Sequence, residues 1–251
     1  LWSGAQLVEP QRFNTWPLVQ SLLPEGVRRL EAGPGLRPRL PIEGTHFVDI
    51  SEPALSVLGQ RGGRAWLAEI TSLPFADASF DLVCALDVVE HVDDGDGALA
   101  ELVHVARPGA TLLMSTPLHP SRWSSFDDFV GHKRRYRPES HLELLARNGL
   151  AVERSAVFGM KPRSPRLVEL GMWWLANHRD LAMSTYNRAF MPLGLRFQKD
   201  LQLMPGLIAM DEVDEILLVC RKGAVPAAAS LSAAAALPLP SPAPAARAPS
   251  A

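Results

Sequence analysis

Three acidic residues follow short apolar segments at points where strands should end, and they are the first candidates for ligand chemistry in this sequence. Asp49 closes the segment FVD, Glu69 follows AWLA, and Asp87 follows FDLVCAL. A turn that carries Gly33 and Gly35 precedes the first of them. Carboxylates at strand ends accept hydrogen bonds from ribose hydroxyls, and glycines let the backbone approach a ligand. The pattern indicates a nucleotide-binding unit, although an ordinary strand-turn-strand with glycines for the tight turn would give the same stretch.

Side chains that could accept a proton occur after the third acid and in a later loop. They are His91, His119, Asp127 and His132. A general base is needed when the group that reacts is a hydroxyl or a protonated nitrogen. We take His91 and His132 as the catalytic candidates, and a helix-capping or orienting role is the alternative for His91.

The segment WSSFDDFVGHKRRY, residues 123–136, combines aromatic, acidic and basic side chains. We predict that it binds a substrate through Trp123, Asp127, Arg135 and Tyr136, because arginine binds anionic groups with two parallel hydrogen bonds. The alternative is that arginine and aspartate pair with each other and hold the loop in place.

The elements that must position these side chains alternate between strands and helices. Apolar runs predict seven strands at residues 29–32, 46–49, 65–68, 80–86, 111–115, 151–158 and 215–221. Helical spacing predicts helices after Ser51, at 98–106 and at 139–148. Pro34, Pro38 and Pro41 leave little more than a turn between the first two strands. Such alternation predicts a mostly parallel sheet with helices on both faces.

The composition is that of an ordinary soluble globular protein. The 251 residues are 47% hydrophobic and 21% charged, with a net charge of -2, which suits one α/β domain with an insertion or tail. No basic run suggests a nucleic-acid partner, and no apolar stretch is long enough to span a membrane. The first residues lack the zones of a signal peptide, so we expect a cytoplasmic protein. Cys84 and Cys220 lie in apolar runs and are predicted to be buried.

Four segments carry a resemblance to a known family: LEAGPG, FVDIS, LAEITSLPFADASFDLVCALDVVEHVDD and ARPGATLLMSTP. They resemble the class I S-adenosylmethionine-dependent methyltransferases, in particular the type 11 group and its ubiquinone- and menaquinone-methyltransferase-like subset. The resemblance covers residues 30–158 and returns at the last strand. It implies a Rossmann-like, seven-stranded, mostly parallel sheet of order 3-2-1-4-5-7-6, with strand seven antiparallel. A helical insertion is expected between strands six and seven.

The resemblance also implies a set of residues that contact S-adenosylmethionine and its product S-adenosylhomocysteine. They are Glu31, Gly33, Gly35, Asp49, Ile50, Glu69, Ile70, Leu86, Asp87 and Val88. Asp49 can accept both ribose hydroxyls on its two oxygens. The family's third glycine is missing and Arg37 stands near its position, which leaves open how the amino acid end of the cofactor is held.

A metal site is a further possibility that the sequence raises. Asp87, Glu90 and His91 are spaced i, i+3 and i+4, which would put three metal-ligand types on one face of a helix. Some quinone and RNA O-methyltransferases that the chain resembles use a similar cluster for a divalent metal. The EH pair is also widespread in metal-free relatives, so we predict no metal here.

Two other functions compete with an S-adenosylmethionine-dependent methyltransferase. A nicotinamide-dependent dehydrogenase would need a helix start after the glycines, where this chain has Leu36, Arg37 and Pro38. A non-catalytic, methyltransferase-like binding or regulatory protein is the main alternative. We predict an enzyme that methylates a small-molecule acceptor at oxygen or carbon by in-line displacement.

The domain organisation follows from changes in composition. Residues 1–223 are predicted to form the methyltransferase domain, and residues 224–251 an Ala/Pro/Ser-rich disordered tail. The insertion, residues 161–211, is rich in aromatic residues and methionine. It either caps a substrate pocket or adds a pair of helices to the core.

Overall fold

A computed structural model describes residues 6–159 and 165–223 of the chain. Eight strands form one sheet in the order β3-β2-β1-β4-β5-β8-β6-β7. Their bounds are β1 Arg29–Ala32, β2 His46–Asp49, β3 Arg64–Leu67, β4 Phe80–Leu86, β5 Ala106–Pro117, β6 Leu150–Val157, β7 Met204–Pro205 and β8 Glu215–Lys222. The first five strands pair in parallel, whereas β8 pairs antiparallel with both β5 and β6.

Helices cover the two faces of the sheet. Their bounds are α1 Trp16–Ser21, α2 Glu52–Gln60, α3 Gly95–Val105, α4 Ser125–Val130, α5 Pro138–Arg147, α6 Pro165–Asn177, α7 Arg179–Thr185 and α8 Met191–Phe197. A π-helical turn, Tyr186–Phe190, joins α7 to α8. No helix in the described ranges is both long and apolar enough to cross a membrane.

The strand at the centre of the sheet is buried on both sides. Val83 of β4 packs into one core cluster with α3 and α5, whereas Leu82 and Cys84 pack into a second cluster with α1. Successive side chains of a strand point to opposite faces, so a strand between two helical layers needs apolar residues at nearly every position. Cys84 and Cys220 are both buried, as predicted, in different core clusters.

The predicted strand order is confirmed for the seven main strands, and the structure adds one strand at the edge. The extra strand, β7, has two residues and lies within the insertion, where Met204 pairs with Ser155 of β6. The segment predicted as a loop before α5 contains the helix α4. That helix was missed because its six residues are too few for a periodic apolar pattern.

The connection from β1 to β2 contains no helix, in agreement with its three prolines. Proline lacks the amide hydrogen and fixes φ, so a helix cannot run through repeated prolines. The insertion is helical from α6 to α8, as predicted. Its role as a cap and the domain boundaries stay predictions, and residues 224–251 lie outside the described part of the chain.

Candidate functional site

The carboxyl ends of the four parallel strands β1 to β4 bring the predicted ligand-binding acids to one edge of the sheet. Asp49 ends β2 and is in register with Leu67 at the end of β3. Glu69 follows two residues later and is exposed, and Asp87 directly follows β4. Ligands of open α/β sheets bind at this edge. Residues that are distant in the sequence therefore converge there.

The turn after β1 is tied to the end of β2. Asp49 accepts hydrogen bonds from the Gly35 amide on Oδ2, at 2.9 Å, and from the Ser51 amide on Oδ1, at 2.8 Å. Each carboxylate oxygen keeps a further acceptor position, so the acid can still bind two hydroxyls. Ile50, beside it, is 75% exposed and offers an apolar surface at the same edge, whereas Ile70 is buried.

Gly33 is required by its backbone angle and by its neighbour. Its φ is +66°, and a Cβ built on it would lie 2.6 Å from Cγ2 and 2.8 Å from Cγ1 of Val88. Valine is stiff about χ1, so it cannot move aside easily. The turn is thus in direct contact with Val88, the second residue after β4.

We predict that Gly33→Ala lowers the free energy of unfolding by about 2 kcal/mol, because left-handed strain and overpacking add. Urea unfolding at pH 7 measures this change. Gly35→Ala is the matched control: its φ is +51°, but an added Cβ meets nothing within 4 Å. It should cost only about 1 kcal/mol, from left-handed strain alone. Equal losses in the two variants would contradict the role of the Val88 contact.

Glu31 is buried and holds the connection after β1. Its carboxylate accepts hydrogen bonds from the backbone amides of Arg39, at 2.8 Å, and Leu40, at 2.9 Å. Burial raises the pKa of Glu31 to about 7, against the effect of these two hydrogen bonds. The expected contact of Glu31 with a cofactor stays a prediction, and the structure shows that both oxygens of the acid already accept a backbone hydrogen bond. The acid folds the proline-rich connection back onto β1.

Asp87 does not belong to a helix, so the expected helical face of Asp87, Glu90 and His91 is wrong. Its φ is +54°, and the helix that follows is a three-residue 3-10 turn, Val89–His91. Oδ1 of Asp87 accepts a hydrogen bond from Ser115 Oγ at 2.5 Å. The Ser115 Oγ in turn accepts a hydrogen bond from the backbone amide of Asp87. Leu86 and Val88 flank this left-handed residue and are partly exposed at the same edge.

A cavity of about 1060 Å³ adjoins this edge and is covered by the end of the insertion. Its polar lining includes Asn14, Arg39, Asp87, Glu90, His91, His132, Arg135, Asp214 and Glu215. Its apolar and aromatic lining includes Phe126, Val130, Val157, Phe158, Tyr186, Phe197, Leu201, Met204 and Ile208. A volume of this order accommodates a small organic molecule. Residues of α8 and of the segment after it form one wall.

Glu90, His91 and His132 form a cluster at the cavity, and it differs from the trio expected from sequence. One ligand atom from each lies within 4.8 Å of the others. Glu90 is 0% exposed, and neither of its carboxylate oxygens has a hydrogen-bond partner among the described residues. Burial, then the nearby charge of Asp87, raises the pKa of Glu90 well above its usual range. The cluster can take up a proton, or it can hold a divalent cation.

Both histidines of this cluster are oriented by an acceptor behind them. His132 Nδ1 lies 2.9 Å from Asp127 Oδ1, and His91 Nδ1 lies 3.3 Å from the Gly131 carbonyl oxygen. Because carboxylates and carbonyls only accept, each Nδ1 carries a hydrogen, and in the neutral imidazole Nε2 then keeps its lone pair. His132 Nε2 is 3.8 Å from Glu90 Oε1. Burial lowers the pKa of His91, and the electrostatic effect of His132 lowers it further.

Asp127 is the centre of a buried polar network. The residue is 0% exposed and accepts hydrogen bonds from Arg135 Nε at 2.7 Å, His132 Nδ1 at 2.9 Å and Ser124 Oγ at 2.9 Å. Arg135 also pairs with Asp214 at 3.0 Å. This is the loop-holding arrangement that competed with substrate binding for the segment 123–136. Arg135 lines the cavity, but its charge is already paired.

Three other sequence candidates lie away from the cavity lining. Trp123 donates a hydrogen bond to Asp128 at 2.9 Å on the surface. Tyr136 is 8% exposed, and burial raises its pKa to about 12. His119 Nε2 lies 2.8 Å from the Met210 carbonyl oxygen. Neither Trp123 nor Tyr136 belongs to the cavity lining, and their predicted contact with a substrate stays a prediction.

Sequence reasoning missed Glu215, the first residue of β8. It lines the cavity beside Asp87, and its Oε1 is buried with no hydrogen-bond partner in the described part of the chain. Burial, followed by the charge of Asp87 and a hydrogen bond to it, raises the pKa of Glu215 well above its usual range. In the sequence, the only sign of Glu215 was its position as an acid at the start of a predicted buried strand.

Comparison with known proteins identifies a methyltransferase domain, the type that the sequence resemblance implied. Residues 39–114 match a family described as a methyltransferase domain. The chain is 35% identical over 88 residues to a probable S-adenosylmethionine-dependent methyltransferase of Mycolicibacterium smegmatis, which is 34% of each chain. It is 46% identical over 56 residues to an uncharacterized methyltransferase of Mycobacterium sp. (strain JLS), which is 22% of each chain. The matches thus span about a third or less of these curated relatives.

A solved structure extends the likeness of fold beyond these segments. The crystal structure of an S-adenosylmethionine-dependent methyltransferase of Thermotoga maritima, described as a possible histamine N-methyltransferase, superposes with a TM-score of 0.57. The two chains are 18% identical, and the superposition covers 84% of this chain and 89% of that one. At this identity the comparison shows a common fold.

Proposed function

Because the chain carries a domain of the class I S-adenosylmethionine-dependent methyltransferases, we propose that it transfers the methyl group of that cofactor to a small-molecule acceptor. The observation that carries the proposal is the edge of the sheet where the glycine turn, Asp49 and Asp87 meet beside a cavity. The edge offers acceptors and an apolar surface rather than a phosphate site, which suits a cofactor without phosphates.

Different residues of the edge would bind different parts of the cofactor. Asp49 would accept the ribose hydroxyls on the lone pairs that the Gly35 and Ser51 amides leave unused. The exposed face of Ile50 would pack against the adenine, and Glu69 would accept from its amino group. S-adenosylmethionine supplies a methyl group on a sulfonium, which makes it open to in-line attack.

The acceptor would occupy the cavity, and we propose oxygen or carbon as the atom that is methylated. His132 is placed to act as the general base for a hydroxyl, since Asp127 holds its Nδ1 hydrogen and leaves Nε2 as the acceptor. His91 lies against it, with ring centroids 4.8 Å apart. The walls of the cavity would hold the acceptor behind the methyl group, which supplies the positioning that in-line transfer needs.

Calorimetric titration with S-adenosylhomocysteine tests the proposed function. We predict binding by the wild-type chain and a loss of about 10- to 100-fold in affinity for Asp49→Ala, because a charged acceptor of two hydrogen bonds is removed. Asp77→Ala is the control, since that carboxylate is exposed and distant from the edge. No binding by the wild type at millimolar ligand would defeat the proposal and favour a binding or regulatory protein.

A further inference from the structure

Three buried carboxylate oxygens at the cavity have no hydrogen-bond donor among the described residues. They are both oxygens of Glu90 and Oε1 of Glu215. Glu90 is 0% exposed, and a carboxylate that is buried without donors is costly, so such atoms are normally paired. Because both side chains line the cavity, a molecule bound there can supply the missing donors.

The backbone leaves room for the Glu215 carboxylate in the cavity wall. The carboxylate lies over Gly159, where an added Cβ would come within 2.6 Å of Oε2. Gly159 has a φ of +99°, which favours glycine. The carbonyl of Glu215 accepts a hydrogen bond from the Phe158 amide at 2.9 Å, which fixes the start of β8 beside the end of β6. A side chain at position 159 would therefore occupy the space that the acid uses.

The basic side chains of the cavity lining are engaged elsewhere or exposed. Arg135 forms ion pairs with two aspartates, at 2.7 and 3.0 Å. Arg39 lies over an aromatic ring, and Asp87 is its main favourable charge. Lys199 is exposed. None of these three cations is a hydrogen-bond partner of the two glutamates in the described part of the chain.

The charges nearest to the two glutamates are mostly negative. Burial raises the pKa of Glu215, and the charges of Asp87, Glu90 and Asp214 raise it further. For Glu90, burial and the charge of Asp87 outweigh the opposing charge of Arg135. The effect of Glu90 on Glu215 also means that the two carboxylates are close to each other. A positive group in the cavity would be attracted by both.

A protonated amino group matches these acceptors, because it has a positive charge and up to three hydrogen-bond donors but no acceptor. We propose that the methyl acceptor carries an ammonium group and that Glu90 and Glu215 bind this group in the cavity. The inference rests on the proposed function and adds to it the class of acceptor. Hydrogen bonds between ammonium and carboxylate are charge-assisted and stronger than neutral ones. The rings of Phe126 and Phe197 also line the cavity, and aromatic faces attract cations.

The ammonium group serves recognition and is not the atom that is methylated. An ammonium nitrogen has no lone pair, so it cannot attack the methyl group while it is held in the protonated form. His132 Nε2 lies 3.8 Å from Glu90 Oε1, which is too far for a hydrogen bond between them. A molecule anchored at Glu90 would thus bring its own hydroxyl near His132. This arrangement agrees with methylation at oxygen or carbon.

The experiment compares three phenols of similar size that differ in charge. Tyramine carries an ammonium group, tyrosol a hydroxyl and 4-hydroxyphenylacetate a carboxylate. Calorimetric titration at pH 7 in EDTA, without cofactor, measures the affinity of each. We expect the wild type to bind tyramine at least about tenfold more tightly than tyrosol, which is 1.4 kcal/mol, and to bind 4-hydroxyphenylacetate most weakly.

The preference for tyramine should depend on the two glutamates. In Glu90→Gln and in Glu215→Gln we expect it to fall at least about threefold, because glutamine keeps the shape but loses the charge. The affinity for tyrosol should stay within about twofold of wild type, since its hydroxyl carries no charge. Thermal unfolding checks that both variants are folded, and either variant alone is sufficient for the test.

Glu212→Gln is the matched control, because this glutamate has a side chain that is 95% exposed and lies outside the cavity lining. It should keep the full preference for tyramine. Equal affinities of the wild type for tyramine and tyrosol would overturn the inference, as would a preference that is unchanged in both glutamine variants. Tyramine is smaller than the cavity, so an absence of binding at millimolar concentration would overturn it too.

The proposed function is tested separately by titration with S-adenosylhomocysteine. If the wild type binds that ligand but does not prefer tyramine, the ammonium site fails and the proposed function stands. If the wild type prefers tyramine but does not bind S-adenosylhomocysteine, the proposed function fails, and the inference that the amine is a methyl acceptor fails with it.

Discussion

Replacing Asp127 by asparagine should lower the free energy of unfolding by about 3 kcal/mol, because it removes one partner of a buried ion pair and leaves Arg135 with Asp214 as its remaining acid. Asp127 is 0% exposed and Arg135 is 5% exposed, so water cannot take over the lost interactions. Asparagine keeps one acceptor oxygen, so either the bonds that Oδ1 accepts from Arg135 and His132 or the two that Oδ2 accepts from Ser124 are lost. Urea unfolding at pH 7 measures the effect.

The effect of Asp127→Asn should depend on pH in a defined direction. Burial alone would raise the pKa of Asp127, but hydrogen bonds from Arg135, His132 and Ser124 outweigh it and hold the pKa below its usual 3.8. A lowered pKa contributes stability above the unfolded value that is lost as pH falls through the folded value. The difference between wild type and variant should therefore be full at pH 7 and shrink below about pH 4.

Asp128→Asn is the control, since Asp128 is the next residue of α4 but is exposed, with one surface hydrogen bond to Trp123. It should change the free energy of unfolding by less than about 0.5 kcal/mol. A loss of similar size in the two variants would contradict the view that Asp127 holds the loop through Arg135.

Glu90→Gln should instead raise the free energy of unfolding at pH 8 in the presence of EDTA, by about 1 to 3 kcal/mol, because an ionised carboxylate buried without a hydrogen-bond partner carries a desolvation cost of this order. Both oxygens of Glu90 are buried without a partner in the described residues, and the folded pKa is raised by burial and by Asp87. For each pH unit above the unfolded pKa, up to the folded pKa, the free energy of unfolding falls by at most about 1.4 kcal/mol. Glutamine has the same shape but never needs to ionise, so it avoids that cost.

The sign of the pH dependence follows from a raised pKa. Stability from Glu90 is fully present below its unfolded pKa of 4.5 and is lost as pH rises toward the folded value. Wild type and variant should be equally stable near pH 4.5 and diverge as pH increases. Thermal unfolding from pH 4.5 to pH 8 measures this divergence. Glu212→Gln, at a side chain that is 95% exposed, should show none.

A bound divalent cation would reverse the outcome of Glu90→Gln. A cation held by Glu90, His91 and His132 would stabilise the ionised carboxylate, so removal of the charge would destabilise the protein. Melting of wild type and variant with manganese chloride in place of EDTA separates the two states of the cluster. A melting temperature that rises with manganese in the wild type but not in Glu90→Gln would indicate a cation site.

The order and type of the main elements followed from local patterns in the sequence. The run FDLVCAL could only be a strand buried on both faces, and the prolines after β1 excluded a crossover helix. These signals are local because backbone geometry and burial act residue by residue. The two-residue strand β7 carried no such signal, since it depends on pairing with β6. The helix α4 is too short for a periodic apolar pattern, and its capping box of Ser124 and Asp127 was the only local sign of it.

Part of the candidate site was also readable from the sequence. Asp49 and Asp87 were identifiable as acids at strand ends, because parallel strands place their carboxyl ends at one edge. The roles of Glu31 and Asp127 were not, since whether a carboxylate faces a ligand or a backbone amide depends on how its loop folds. Sequence spacing placed His91 with Asp87, whereas the structure places it with His132 of a different segment.

The sequence by itself thus determined which strands form the sheet and which edge carries the acids, because hydrophobic period and turn chemistry are properties of short segments. Only the tertiary structure decided that Glu215 lies beside Asp87, that the Glu90 carboxylate makes no hydrogen bond with any described residue, and that Arg39 lines the cavity and lies over Phe13. These facts arise from packing between residues far apart in the chain. Charge and burial at such contacts cannot be read from either segment alone.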